Sequence, residues 1–145
     1  MGKKIVVSAC LMGRNCKYNG GNNYNETLVN YLKDKDVIEV CPEVAAGMPV
    51  PRPAVEIRDG RIVRADGSDW DDIYRKGVAT VMKALEGEDI ACAVLQSRSP
   101  TCGVKQIYDG SFSKTRVDGK GLLAQALSDS GCRLIDVEDL KDLME

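Results

Sequence analysis

Apolar positions along the chain fall into short runs of two kinds. Ile5 to Ala9 (IVVSA), Val37 to Val40 (VIEV), Ile90 to Leu95 (IACAVL) and Arg133 to Val137 (RLIDV) are β-prone and lack clean period-two alternation. Strands buried on both faces have this pattern. Between them the spacing becomes helical. Asn25 to Lys33 places Leu28 and Leu32 at i, i+4, and Asp69 to Leu85 places Ile73, Gly77, Val81 and Leu85 on one stripe. Ser68 is the candidate N-cap of the longer helix, with Asp69, Asp71 and Asp72 favouring its positive end. A third helix, Gly121 to Ser128, closes at Gly131, and a fourth spans Glu138 to Met144. Two Asp-Gly pairs, Asp59-Gly60 in VEIRDGRIVR and Asp109-Gly110 in QIYDGSFS, predict β-hairpins between these units. The order β-α-β-α-β-α-β-α predicts one α/β domain over residues 1–145. Its expected architecture is a Rossmann-like, doubly wound, mainly parallel four-stranded sheet with the hairpins inserted.

Composition narrows the chemistry. A chain of 145 residues can bury one core without staples. The net charge of −2 shows no global basic excess, so no nucleic-acid partner is expected. The N-terminal MGKKIVVSACLMG does not read as a signal peptide, and no stretch approaches the roughly 18 apolar residues of a membrane helix. The expected location is the cytoplasm, with no membrane partner. Thiols stay reduced there, so the six cysteines point to metal binding or catalysis rather than a disulfide framework. The chain has no histidine, which removes Ser-His-Asp and Cys-His nucleophile systems, HExxH zinc sites and the 2-His-1-carboxylate iron site. Cysteine, carboxylate, Lys/Arg and hydroxyl chemistry remain.

Three segments have compositions that packing does not require, and each directly follows a predicted strand. They are Ser8-Ala9-Cys10-Leu11-Met12-Gly13-Arg14-Asn15-Cys16, Cys41-Pro42-Glu43, and Ser97-Arg98-Ser99-Pro100-Thr101-Cys102-Gly103. In an open parallel sheet the carboxyl ends of the strands line the ligand crevice, so Cys10, Cys41 and Cys102 are expected to converge there. Cys92, inside its strand, and Cys132, before the fourth strand, are expected in the core. Thiolates suit zinc, copper(I) and iron-sulfur clusters, but three separate loops match neither the CxxC pairs of zinc ribbons nor the ferredoxin run. Two metal arrangements stay open: a closed four-cysteine site that includes Cys16, and a three-thiolate site with a free position for substrate. A thiol-redox pair of Cys10 and Cys16 is a further alternative, although C-x5-C is not the usual redox spacing.

Together, SACLMGRNCKYNGG, VCPEVAAGMPVPRPAVEI and SRSPTCG followed by IYDGSF resemble the thiouracil desulfidase family across essentially the whole chain. Three unrelated signatures in one order make the resemblance specific. It implies a [4Fe-4S] cluster held by three cysteines, with the fourth iron free to take the sulfur of a small thiolated pyrimidine. By that resemblance Cys10, Cys41 and Cys102 are the ligands, with Cys16 a possible replacement for one of them. The catalytic glutamate falls on Glu43 and the catalytic serine on Ser99.

The residue chemistry fits this implication. Removing sulfur from a thiocarbonyl needs a soft acceptor, a water to attack the carbon and a group to move protons. Without histidine, a carboxylate is the expected proton carrier, and Glu43 stands two residues from a candidate ligand. Ser99 is expected to orient the water or a polar substrate group. Ser8 and Arg52 are the candidate substrate contacts, with an Arg52–Glu56 pair as the alternative for the guanidinium. Pro49, Pro51 and Pro53 are expected to stiffen the connection to the first hairpin. The competing function is a non-catalytic zinc- or cluster-binding module with four cysteine ligands.

Overall fold

A computed structural model describes residues 3–144. In chain order the elements are β1 (Lys4–Ser8), a 3-10 turn (Ala9–Met12), α1 (Glu26–Leu32), β2 (Val37–Val40), α2 (Pro42–Ala45), β3 (Val55–Arg58), β4 (Arg61–Arg64), α3 (Asp71–Leu85), β5 (Ile90–Leu95), β6 (Gln106–Tyr108), β7 (Arg116–Asp118), α4 (Leu122–Asp129), β8 (Leu134–Asp136), a second 3-10 turn (Val137–Asp139) and α5 (Leu140–Met144). The principal sheet has the order β2-β1-β5-β8, and every pairing in it is parallel. Two antiparallel hairpins, β3-β4 and β6-β7, stand apart from it.

Burial explains the absence of alternation in the strand sequences. On one face Val6, Val40, Ala93 and Leu95 pack with Val78, Val81 and Leu85 of α3 and Leu123, Ala124 and Leu127 of α4. On the other, Ile5, Val7, Cys92, Val94 and Ile135 pack with Leu11 and with Leu28 and Leu32 of α1, and Leu140 and Leu143 of α5 close the edge. Successive strand residues therefore enter opposite cores, and both cores demand apolar side chains. From β2 the chain passes beyond β1 to β5, so the winding reverses between β1 and β5. The carboxyl ends of these two strands form the switch point at which open α/β sheets bind ligands. Ser8 Oγ accepts a hydrogen bond from Gln96 N at 3.0 Å and ties the two strand ends together.

Several expectations need correction. Helix α3 begins at Asp71 with Trp70 at its N-cap, not at Asp69 behind a Ser68 cap. The Ser68 hydroxyl instead hydrogen-bonds to Asp66 at 2.6 Å, while the Asp69 carboxylate accepts from Asp71 N at 2.9 Å. Ile73 is 39% exposed, and the buried stripe runs through Tyr74, Gly77, Val78, Val81 and Leu85. A strict i, i+4 series drifts about 40° per step around a helix, whereas Tyr74, Val78, Val81 and Leu85 stay on one face. The Asp59-Gly60 hairpin forms with both residues at positive φ, as a tight two-residue turn requires. Asp109-Gly110 opens a longer loop that reaches β7 only at Arg116, because Asp109 uses its carboxylate to accept from Ser111 N at 2.9 Å. The Cys41-Pro42-Glu43 segment is not a loop. Pro42 occupies the first turn of α2, and Gly47 at φ 80° follows its end.

Candidate active site

A cavity of about 490 Å³ opens at the carboxyl end of the sheet, and Cys10, Cys16, Cys41 and Cys102 all line it. Each thiol is delivered by a different local device. Cys10 belongs to the 3-10 turn that continues β1, and its carbonyl accepts from Gly13 N at 3.3 Å and Asn23 N at 2.9 Å. Cys41 caps α2, with extended backbone and its carbonyl accepting from Ala45 N at 2.9 Å. Cys102 lies in the turn after β5, where Ser99 Oγ accepts from Thr101 N at 3.2 Å and Cys102 N at 3.0 Å. The first amides of α4 anchor that turn from below: Leu122 N donates to Pro100 O and Leu123 N to Thr101 O, at 2.9 and 2.8 Å.

The thiols differ electrostatically. Cys16 sits between Cys10 and Cys41 and hydrogen-bonds toward both, so its own proton is held far above the ordinary thiol range. That donor draws Cys10 down to about 7 against the cost of burial, assisted by Asn23 Nδ2 at 3.4 Å from its sulfur. Cys41 is lowered chiefly by the same Cys16 contact. Cys102 moves the other way, pushed up to about 12 by burial and then by the charge of Glu43. Among the described residues, no three His, Cys, Asp or Glu side chains are gathered as the ligands of a single metal ion would be.

Glu43, in the first turn of α2, is only 8% exposed and points its carboxylate at the thiols. The Thr101 hydroxyl donates to it at 3.2 and 3.4 Å, and Cys41 Sγ lies 3.7 Å from Oε1. Both neighbours are neutral donors rather than cations. Tyr74, from α3, shares the cavity, and burial followed by the Glu43 charge pushes its phenol up to about 12. Sequence reasoning missed Thr101, Tyr74 and Asn23. Thr101 carried a signal, standing beside Cys102 in a segment already singled out, whereas Tyr74 and Asn23 depend on how elements pack.

The other predicted residues fall at the same site. Ser8 is 2% exposed, and besides accepting from Gln96 it partly offsets the upward push of burial on the Cys102 thiol. Arg52 does not pair with Glu56. Its Nη2 donates to Cys16 O at 2.8 Å and its Nη1 to Pro49 O at 3.4 Å, so it fastens the Cys16 loop to the proline segment, in which the Val50–Pro51 peptide is cis. Cys92 is buried in the α1-side core, and Cys132 packs at the margin of the opposite one, as expected of structural cysteines. No helix among the described residues is long and apolar enough to cross a membrane.

Comparison with known proteins adds independent findings. The chain is 32% identical over 150 residues to the uncharacterised protein YbbK of Bacillus subtilis (strain 168), covering 97% of this chain and 99% of that one. Its fold is similar to the solved structure of a [4Fe-4S]-dependent thiouracil desulfidase, TudS, with a TM-score of 0.91 and 30% identity over 99% of this chain and 96% of that one. Residues 5–139 match the family model for 2-thiouracil desulfurase. With a match over nearly its whole length and the thiols, carboxylate and switch-point cavity in place, the chain belongs to the 2-thiouracil desulfurase family.

Proposed function

We propose that this chain, acting as one domain, is a [4Fe-4S]-dependent enzyme that replaces the sulfur of a small thiolated pyrimidine, free base or nucleoside, with oxygen from water. The observation that carries the reading is one cavity holding strand-end thiols around a buried carboxylate that makes no ion pair among the described residues. The donor set suits the cofactor: Cys10, Cys41 and Cys102 offer soft sulfur, and the first two are shifted below the ordinary thiol range, toward the deprotonated form that ligands need. The same family membership favours an enzyme over a binding module.

When bound, the cluster would supply a soft Lewis acid for the thiocarbonyl sulfur. The chain's own groups do the rest. Glu43 would take a proton from the attacking water and return it to the departing sulfur, with Thr101 holding its carboxylate in place. Ser99 would fix the Cys102 turn and orient a polar atom of the substrate, while Ser8 and Arg52 would shape the floor and the rim. The ring gains the oxygen of water, sulfur leaves as hydrosulfide and no electron is transferred, so the reaction is a hydrolysis of the carbon–sulfur bond. The test is Glu43→Gln, purified and reconstituted without oxygen. It should keep a full complement of iron and lose at least about 100-fold in kcat on 2- or 4-thiouracil. A full cluster with wild-type turnover refutes the role of Glu43.

A further inference from the structure

The loop between β6 and β7 holds Phe112, the only phenylalanine in the chain, at a positive φ of 58°, and Lys114 two residues later at 64°. A bulky side chain in the left-handed region is an outlier that persists only where the surroundings impose it. Here the source is one carboxylate. Glu56 of β3 accepts from Gly110 N and from Phe112 N, both at 3.1 Å and both on Oε1. Arg58, two residues along the same strand, donates to Gly110 O at 2.8 Å and lies over the Phe112 ring, 5.9 Å from its centroid. Gly110 fits so closely under this clamp that a Cβ would meet Ile57 O at 2.7 Å. Glu56 and Phe112 also both line the cavity that holds the thiols and Glu43. A hairpin turn alone needs neither the strain nor the clamp.

From this we propose that Phe112 is the aromatic wall against which the flat face of the substrate ring packs, and that Glu56 is the residue that positions it. The inference rests on the reading of the substrate as a small heteroaromatic ring. Arg58 covers one face of Phe112, and the other is the face offered to the ligand. Glu56 acts through the loop backbone and does not touch substrate.

The experiment uses the reconstituted enzyme for kinetics, and calorimetric titration with uracil, which shares the ring but lacks the reacting sulfur. Phe112→Ala should raise KM for thiouracil and Kd for uracil about tenfold, the scale of a lost base–aromatic stack, with kcat within twofold. Phe112→Tyr should restore both. Glu56→Ala should match Phe112→Ala, Glu56→Gln should remain near wild type because its amide oxygen still accepts, and Glu56→Ala with Phe112→Ala should be no worse than either alone. Glu56→Ala should also speed tryptic cleavage after Lys114 at least tenfold, a readout independent of turnover. Additive losses in the double variant, or an unchanged Kd in Phe112→Ala, overturn the proposal. Failure of every preparation to desulfurate thiouracil, with the uracil and trypsin results as expected, would sink the proposed reaction and leave the wall and its clamp standing.

Discussion

Gly77→Ala tests how tightly the reactive groups depend on a helix that carries none of the thiols. Gly77 lies mid-way along α3, where that helix crosses α2. An added Cβ would stand 2.1 Å from Pro42 O and 3.0 Å from Ala46 Cβ, whereas ordinary contact begins at 3.4 Å. The obstacle is backbone oxygen, so no side-chain rotation relieves it, and α2 must retreat by more than about 1 Å. Cys41 and Glu43 ride on α2. Overpacking of this kind costs roughly 1–3 kcal/mol, and alanine's better helix propensity returns about 1 kcal/mol, for a net loss near 1 kcal/mol. Tm should fall by only about 3 °C. Activity should suffer far more, since a misplacement of about 1 Å near the chemistry can cost about 100-fold. The assay measures kcat for loss of the thiocarbonyl absorbance, alongside iron content and Tm of the same preparation. Wild-type kcat and iron content in Gly77→Ala would refute the claim that this crossing sets the position of Cys41 and Glu43.

Three further outcomes are expected. Asp71→Ala removes a wholly buried carboxylate that accepts from Ile62 N at 3.0 Å and pairs with Arg75, so it should destabilise the chain by about 2–4 kcal/mol, read as a lower urea midpoint at unchanged slope. In the cofactor-free chain, alkylation of Cys10 should rise through pH 7 as its thiol, drawn down to about 7, loses its proton. Cys102, pushed up to about 12, should stay slow beyond pH 9, as peptide mass spectrometry of timed iodoacetamide labelling would reveal. Single Cys→Ala variants reconstituted without oxygen should lose iron at positions 10, 41 and 102 and keep it at 16, where the thiol serves as a proton donor to its neighbours; iron loss at 16 would make it a ligand.

The parallel sheet was legible because each strand is apolar on both faces, and that single trait also located the site. Once β1, β2 and β5 are parallel, whatever follows each must share one crevice, so Cys10, Cys41 and Cys102 converge without any knowledge of their distances. Contacts made by elements distant in sequence were not legible. The four residues Pro42–Ala45 are too few for a period to show, which hid α2. Asp71 looked like a partner for the helix dipole, yet its carboxylate reaches across to Ile62 N on β4. Thr101 stood unassigned beside Cys102 until the fold set it against Glu43. The 109–115 loop failed as a tight turn because, beyond the local Asp109–Ser111 contact, Glu56, more than fifty residues earlier in the chain, takes the amides of Gly110 and Phe112.

The switch-point arrangement has a consequence for how the molecule is made. Its reactive groups arrive from the first, second and third strands of the sheet, and the central pairing of β1 with β5 joins segments separated by most of the chain. Such long-range pairing is slow to form, and no two of the three strand-end cysteines lie close enough in sequence to gather iron before it does. The two apolar cores, by contrast, are complete without any of the groups at the cavity mouth other than Cys102 and the edge of Cys10. Folding therefore comes first and loading second: iron and sulfide enter a finished scaffold.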